Sequence, residues 1–168
     1  MTRLLATLAA LTLAGTAAAQ TGQTASAAFV DGDGQPNGTA ALTQTPAGVF
    51  MELELNGLPA ESWVAFHIHE VGTCEAEAGH ESAGGHFNPT GADHGFKVDS
   101  GFHAGDMPNQ YVPADGTLRA HVLNAFVQLD GDGDAIRGRA LMIHAEADDY
   151  ESQPSGNAGD RIACAPIE

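Results

Sequence analysis

The chain is poor in positive charge. Only 6 Lys and Arg stand against 22 Asp and Glu in 168 residues, a formal net charge of −16. Binding to nucleic acid or to an anionic membrane surface needs clustered Lys and Arg, so neither is an expected partner. Long apolar runs are missing as well. The apolar stretch from Leu4 to Ala14 is too short to cross a bilayer, which takes about 20 residues, so no membrane insertion is expected. Past that stretch there is no sustained helical periodicity, which argues against a helical fold. No internal repeat and no shift of composition divides the rest, and the length suits one domain with a real core. Cysteine is scarce: Cys74 and Cys164 are the only pair.

What is present begins with a leader-like segment. Arg3 precedes the apolar Leu4 to Ala14, and the small residues Thr16, Ala17, Ala18 and Ala19 precede Gln20. This is the pattern of a signal peptide over residues 1–19, leaving 20–168 as the mature domain. No cysteine sits at the cleavage point, so no lipid anchor is expected. Export changes how the cysteines are read, because outside the cytoplasm a lone pair is usually a disulfide.

Short strand-like stretches follow, separated by turn residues. They are Ala25 to Val30, Thr39 to Thr43, Val49 to Leu55, Trp63 to His69, Thr117 to Leu123, Phe126 to Leu129, Arg139 to His144 and Arg161 to Ala165. Eight short strands with Gly-rich turns predict an all-β sandwich or antiparallel barrel. Two stretches break the rhythm, Glu70 to Phe102 and Ala145 to Asp160. Structureless loops of that length in a compact domain are usually functional. Both hold or adjoin histidines, aspartates and the cysteines, and both are read as ordered by metal and disulfide. Asp130 to Asp134 has a calcium-loop look, but its sixth position is Ala135 where that loop needs Gly, so it is read as a charged turn. Asn37-Gly38-Thr39 is likewise read as a turn.

Six of the eight histidines form one pattern. His67 and His69 are two apart on a strand and share a face, while Val64, Phe66 and Ile68 take the other, core-side face. On a later strand Leu141 and Ile143 face the core and His144 lies opposite. His67, His69 and His144 therefore project outward, where only the long loops can cover them. The first loop adds His86, His94, His103 and Asp106. Three imidazoles and a carboxylate suit zinc, and imidazole-rich surroundings suit copper. Two four-coordinate metals need eight donors, and seven side chains supply eight if one imidazole bridges. His80, mid-loop, and His121, on a polar strand face, are read as structural or surface residues. Trp63 lies on the outward strand face, as a loop contact or part of an interface.

The segments Ala65-Phe66-His67-Ile68-His69-Glu70, Gly84-Gly85-His86-Phe87-Asn88-Pro89, His94-Gly95, His103-Ala104-Gly105-Asp106 and Gly156 to Cys164 resemble the signature segments of the copper/zinc superoxide dismutases. The likeness runs in order from about Gly48 to the C-terminus, and the longer segment from Cys74 to His86 is similar to bacterial, exported members. The resemblance implies an eight-stranded Greek-key barrel. It implies one copper held by His67, His69, His86 and His144, and one zinc held by His86, His94, His103 and Asp106, with His86 as the bridge. It implies that Asp148 links His67 to His94, that Arg161 docks the anion, and that His86 carries a proton during turnover. The expected reaction is the conversion of two superoxide anions and two protons to oxygen and hydrogen peroxide by copper(II)/copper(I) cycling. The expected location is the periplasm, or otherwise the outside of the cell. A homodimer stays open. The alternative is a copper/zinc carrier without turnover, which would lack the bridge or Arg161; both residues are here. The loop before Arg161 has no Lys, where some relatives carry steering charges.

Overall fold

The computed structural model describes residues 22–168, so the expected signal peptide lies outside the described residues. The described residues form nine strands: β1 (Thr24–Asp31), β2 (Pro36–Thr45), β3 (Gly48–Leu55), β4 (Ser62–Val64), β5 (Phe66–His69), β6 (Gln110–Val112), β7 (Leu118–Asn124), β8 (Ala140–His144) and β9 (Arg161–Pro166). Among the described residues, helix is limited to two single 3₁₀ turns, Ala76–Ala78 and Glu81–Ala83. Seven strands make one antiparallel sheet in the order β5-β8-β9-β1-β2-β3-β7. The ribbon β4–β6 lies between its ends: β6 packs beside β7, and β4 passes through Ala65 into β5. The sheet thereby curls toward a barrel.

The alternation seen in the sequence sets the inside. Val49, Met51, Leu53 and Leu55 of β3 are buried while Glu52 and Glu54 are exposed, and Ala25, Ala27 and Phe29 of β1 alternate the same way. Phe66 and Ile68 of β5 and Leu141 and Ile143 of β8 complete this core. Burying a side chain such as Phe66 or Ile68 stabilises the fold by about 1.5–3 kcal/mol. Strands β5 and β8 differ from the rest in being buried on both faces. Their outward positions lie beneath the two long loops, where Ala83 of the first loop packs on Ala140, Met142 and Cys164, with Cys74 alongside. Cys74 and Cys164 form a disulfide with Cα atoms 5.7 Å apart, tying the first loop to β9.

The all-β class stands, and the strand boundaries within it differ from expectation in three places. Trp63 to His69 is two strands, because Ala65 leaves the ladder: its N–H donates to Glu146 O at 2.8 Å and its carbonyl accepts from His144 N at 3.0 Å. Phe126 to Leu129 is a pinned loop, since Leu129 N donates to the Gln44 side chain at 2.8 Å and only the isolated bridge Gln128–Ala135 remains of a ladder. The three-residue β6 carries no readable alternation and was hidden in the polar segment after Asp106. Trp63 is no loop contact: it is 55 % exposed and meets Tyr111 of β6 edge to face, ring centroids 5.3 Å apart.

Candidate metal centre

Strand direction and loop cover together build the site. The outward His67 and His69 of β5 and His144 of β8 are buried, as are His86, His94, His103 and Asp106 of the first loop. Two groups of four donors result, each with its ligand atoms within 4.8 Å of one another: His67, His69, His86 and His144, and His86, His94, His103 and Asp106. His86 is common to both. The backbone threads them together, since Ile68 N donates to Gly105 O and Phe87 N donates to Ile68 O, at 2.9 and 2.7 Å. Gly105 allows this approach, because a Cβ there would lie 2.3 Å from Ile68 O.

Hydrogen bonds at the far ring nitrogens show where the free lone pairs point. His69 Nδ1 donates to Gly84 O at 2.9 Å and His144 Nδ1 donates to Gly159 O at 3.3 Å. Their Nε2 atoms, left without protons, stand 3.3 Å apart. His67 Nε2 donates to Asp148 Oδ2 at 2.9 Å, which leaves His67 Nδ1 bare, buried and without a partner. His86 Nε2 is likewise buried and unpartnered. Neutral imidazoles turning lone pairs toward one another repel unless a cation lies among them, so this donor set fits a bound transition metal.

The second group fits one equally well. Asp106 Oδ1 lies 2.9 Å from His86 Nδ1, 3.1 Å from His94 Nδ1 and 3.3 Å from His103 Nδ1. The edge of a tetrahedron with metal–ligand bonds near 2.0 Å is about 3.3 Å, and a three-imidazole, one-carboxylate set is a usual zinc environment. The other carboxylate oxygen of Asp106 accepts from Gly95 N and His103 N, both at 3.0 Å, which fixes its orientation. Asp148 spans the two groups. Its Oδ1 accepts from His94 Nε2 at 3.0 Å while its Oδ2 holds His67, and Tyr150 N donates to Oδ1 at 2.7 Å. Gly156 leaves room for this bridge, since a Cβ on it would strike Asp148 Oδ1 and lie 2.7 Å from His94 Nε2.

The electrostatics report the same demand for positive charge. Burial pushes the imidazoles of His86 and His144 down to about 4 and about 3, and that of His69 further still, with neighbouring histidines adding to the shift. These rings are therefore neutral and able to donate lone pairs near neutral pH. His94 goes the other way. Burial lowers it, but hydrogen bonds and the charges of Asp106 and Asp148 outweigh burial and raise it to about 9. Without a metal, a second proton on His94 supplies the cation that the two carboxylates require. Asp106 and Asp148 are held well below the usual carboxylate range: burial pushes both up, and their imidazole and N–H partners overcome it.

Beside the first group opens a cleft of about 780 Å³, lined by His69, His86, His144 and Arg161 among others. Arg161 Nη1 donates to His80 O at 2.8 Å and Nη2 to Gly84 O at 2.9 Å, and Glu81 Oε2 lies 3.5 Å from Nη2. The roles of these carbonyls and of Glu81 were not readable in the sequence, because a carbonyl has no residue signature. The paired glycines Gly84-Gly85 were the one available signal. His121 sits on the exposed face of β7, 3.6 Å from Glu52 and edge-on to Phe50.

A curled antiparallel β-sheet whose loops gather two four-donor groups around a shared histidine defines a protein built for a pair of transition metals. The family model of the copper/zinc superoxide dismutases matches residues 36–167, and the chain belongs to that family. It is 46 % identical over 147 residues to superoxide dismutase (Cu-Zn) 2 of Aquifex aeolicus, covering 85 % of each chain. It is 38 % identical over 150 residues to a Cu-Zn superoxide dismutase of Caulobacter vibrioides, covering 86 % of this chain and 85 % of the relative. The crystal structure of a SOD-like protein from Bacillus subtilis is similar at a TM-score of 0.79 and 35 % identity, covering 83 % of this chain and 95 % of that one.

Proposed function

We propose that the mature chain is an exported superoxide dismutase. In this reading one copper is held by His67, His69, His86 and His144, and one zinc by His86, His94, His103 and Asp106. The observation that carries it is His86, one imidazole common to both donor groups, with Nδ1 on the Asp106 side and an unpartnered Nε2. Copper bound there would supply the one-electron exchange that turns two superoxide anions and two protons into oxygen and hydrogen peroxide, while zinc, which has no redox chemistry, would hold His86 in place.

The chain's own residues supply the rest. Arg161 lines the cleft with its side chain mostly buried, 16 % exposed, and offers a fixed charge and several donors to a small anion. His86 Nε2 is a place to hold a proton beside that anion. Asp148 accepts from His67 and His94 at once and so orients one ring of each donor group. The loops exclude water from the donor atoms, leaving the cleft as the approach. Residues 1–19 act as a signal peptide removed on export, and the mature 20–168 domain works in the periplasm or outside the cell, where the Cys74–Cys164 disulfide is stable. Among the described residues no helix is long and apolar enough to cross a membrane.

The test is a dismutation assay on the 20–168 chain loaded with copper and zinc. Rapid consumption of superoxide with both metals bound supports the proposal. Tight binding of both metals without dismutation would make the protein a carrier.

A further inference from the structure

His80 belongs to neither donor group, yet it is completely buried in a loop whose neighbours Gly79 and Glu81 are exposed. Its backbone lies in the left-handed region at φ 58° and ψ 19°, which disfavours a side chain with a Cβ. Such a conformation persists only where the surroundings enforce it. Two contacts hold it: its backbone N–H donates to Glu75 O at 2.9 Å, and its ring Nε2 donates to Asp31 O at 3.1 Å, at the end of β1 and 49 residues away in sequence. The other ring nitrogen, Nδ1, is buried and has no partner. Burial and the charge of Arg161 hold the ring neutral against the opposing pull of Asp31, so it sits beside the guanidinium without repelling it.

The backbone of His80 does the second half of the work. The two carbonyls that hold Arg161 are His80 O and Gly84 O, one on each side of the 3₁₀ turn Glu81–Ala83. Gly84 O is fixed from behind, since it also accepts from His69 Nδ1 at 2.9 Å. His80 O also accepts from Ala83 N at 3.1 Å, but that bond lies within the same short turn, and the anchored ring is what ties the residue to β1. Glu81, whose side chain is 75 % exposed, waits 3.5 Å from Arg161 Nη2. If His80 O were released, that carboxylate would be free to take over the guanidinium.

We infer that His80 is a positioning residue for Arg161: its buried imidazole, hydrogen-bonded to Asp31 O, helps lock the carbonyl that holds the guanidinium at the cleft and limits its pairing with Glu81 to the present 3.5 Å contact. The inference rests on the reading of Arg161 as the anion-docking group, and the experiment separates the two.

In the metal-free protein, the Arg161 Nη protons should give separate, slowly exchanging NMR signals, because two carbonyls hold them. His80→Ala should collapse those signals, and His80→Gln, which keeps a donor near Asp31 O, should restore them. His80→Leu fills the space without a donor and should behave as His80→Ala does, which covers an alanine variant that does not fold. In the copper- and zinc-loaded protein, azide affinity, read from the copper absorption band, should weaken about fivefold in His80→Ala, the worth of one hydrogen bond. Adding Glu81→Gln to His80→Ala should recover part of it. Separate Arg161 signals retained in both His80→Ala and His80→Leu would overturn the inference. Unchanged azide affinity in Arg161→Ala would instead overturn the docking role of Arg161, and the NMR result would still decide the role of His80.

Discussion

His121 and His144 both point outward from strands of one sheet, and they meet opposite fates. On the β3–β7 side nothing covers the sheet. His121 faces Glu52 at 3.6 Å, Arg119 faces Glu54 at 2.8 Å, and all four side chains are more than half exposed. On the β5–β8 side the loops over residues 70–109 and 145–160 lie on the sheet, and His144, His67 and His69 are buried with their lone pairs converging. Strand alternation sends a histidine outward in both places. Loop cover, with the donors the first loop brings, gathers one set into the candidate metal centre and leaves the other as solvated surface.

The comparison breaks most visibly if the covered side is opened. Cys74–Cys164 closes a loop of 90 residues, so its removal by Cys74→Ser should cost about 4–5 kcal/mol of stability and loosen zinc, measured by denaturant unfolding and metal analysis. A change under about 1 kcal/mol would show that metal and packing hold the loop unaided. Next comes acid. For the metal-free protein, His86 and His144 have folded values of about 4 and about 3, below the ordinary 6.5. Their stabilisation is complete above pH 6.5 and is lost as pH falls toward those values, by roughly 3 kcal/mol for His86 alone. His94, raised to about 9, gives stabilisation that is complete below pH 6.5 and lost as pH rises to about 9. Thermal melts of stripped protein should therefore peak near pH 6.5, and a flat profile from pH 4 to 9 would contradict the burial argument.

Smaller effects sharpen the contrast. Arg161→Ala should slow dismutation about tenfold, roughly 1.4 kcal/mol, with metal content unchanged, and Arg161→Glu should be worse. The acidic chain repels superoxide at long range, but screening confines that field to about 10 Å at 0.1 M salt, so Arg161 should dominate close in. Wild type should slow modestly as salt rises, and the alanine variant should respond less; equal rates would return Arg161 to an ordinary ion-pair role. Arg119→Ala on the open side should change stability by less than about 1 kcal/mol and leave the rate as it was. A larger loss would mean that the exposed pairs are more than surface.

The sequence made the outward histidines legible because alternation in Val64, Phe66 and Ile68 and in Leu141 and Ile143 assigns faces without further information. The loop donors His86, His94, His103 and Asp106 were legible through their spacing and resemblance, not through periodicity. What stayed hidden depends on backbone atoms. The break at Ala65 arises from its bonds to Glu146 and His144, and the hold on Arg161 comes from the carbonyls of His80 and Gly84. The strand expected at Phe126 to Leu129 failed for a related reason: the Gln44 side chain takes Leu129 N, and an apolar run cannot reveal a competing acceptor 85 positions away.

The central claim is that one imidazole serves two metals. Anomalous diffraction at the copper and zinc edges from crystals of the loaded protein tests it most directly. The account predicts two peaks per chain, copper bonded to His86 Nε2 and zinc to His86 Nδ1. A single peak at saturation, or two peaks of which one does not touch His86, would contradict it.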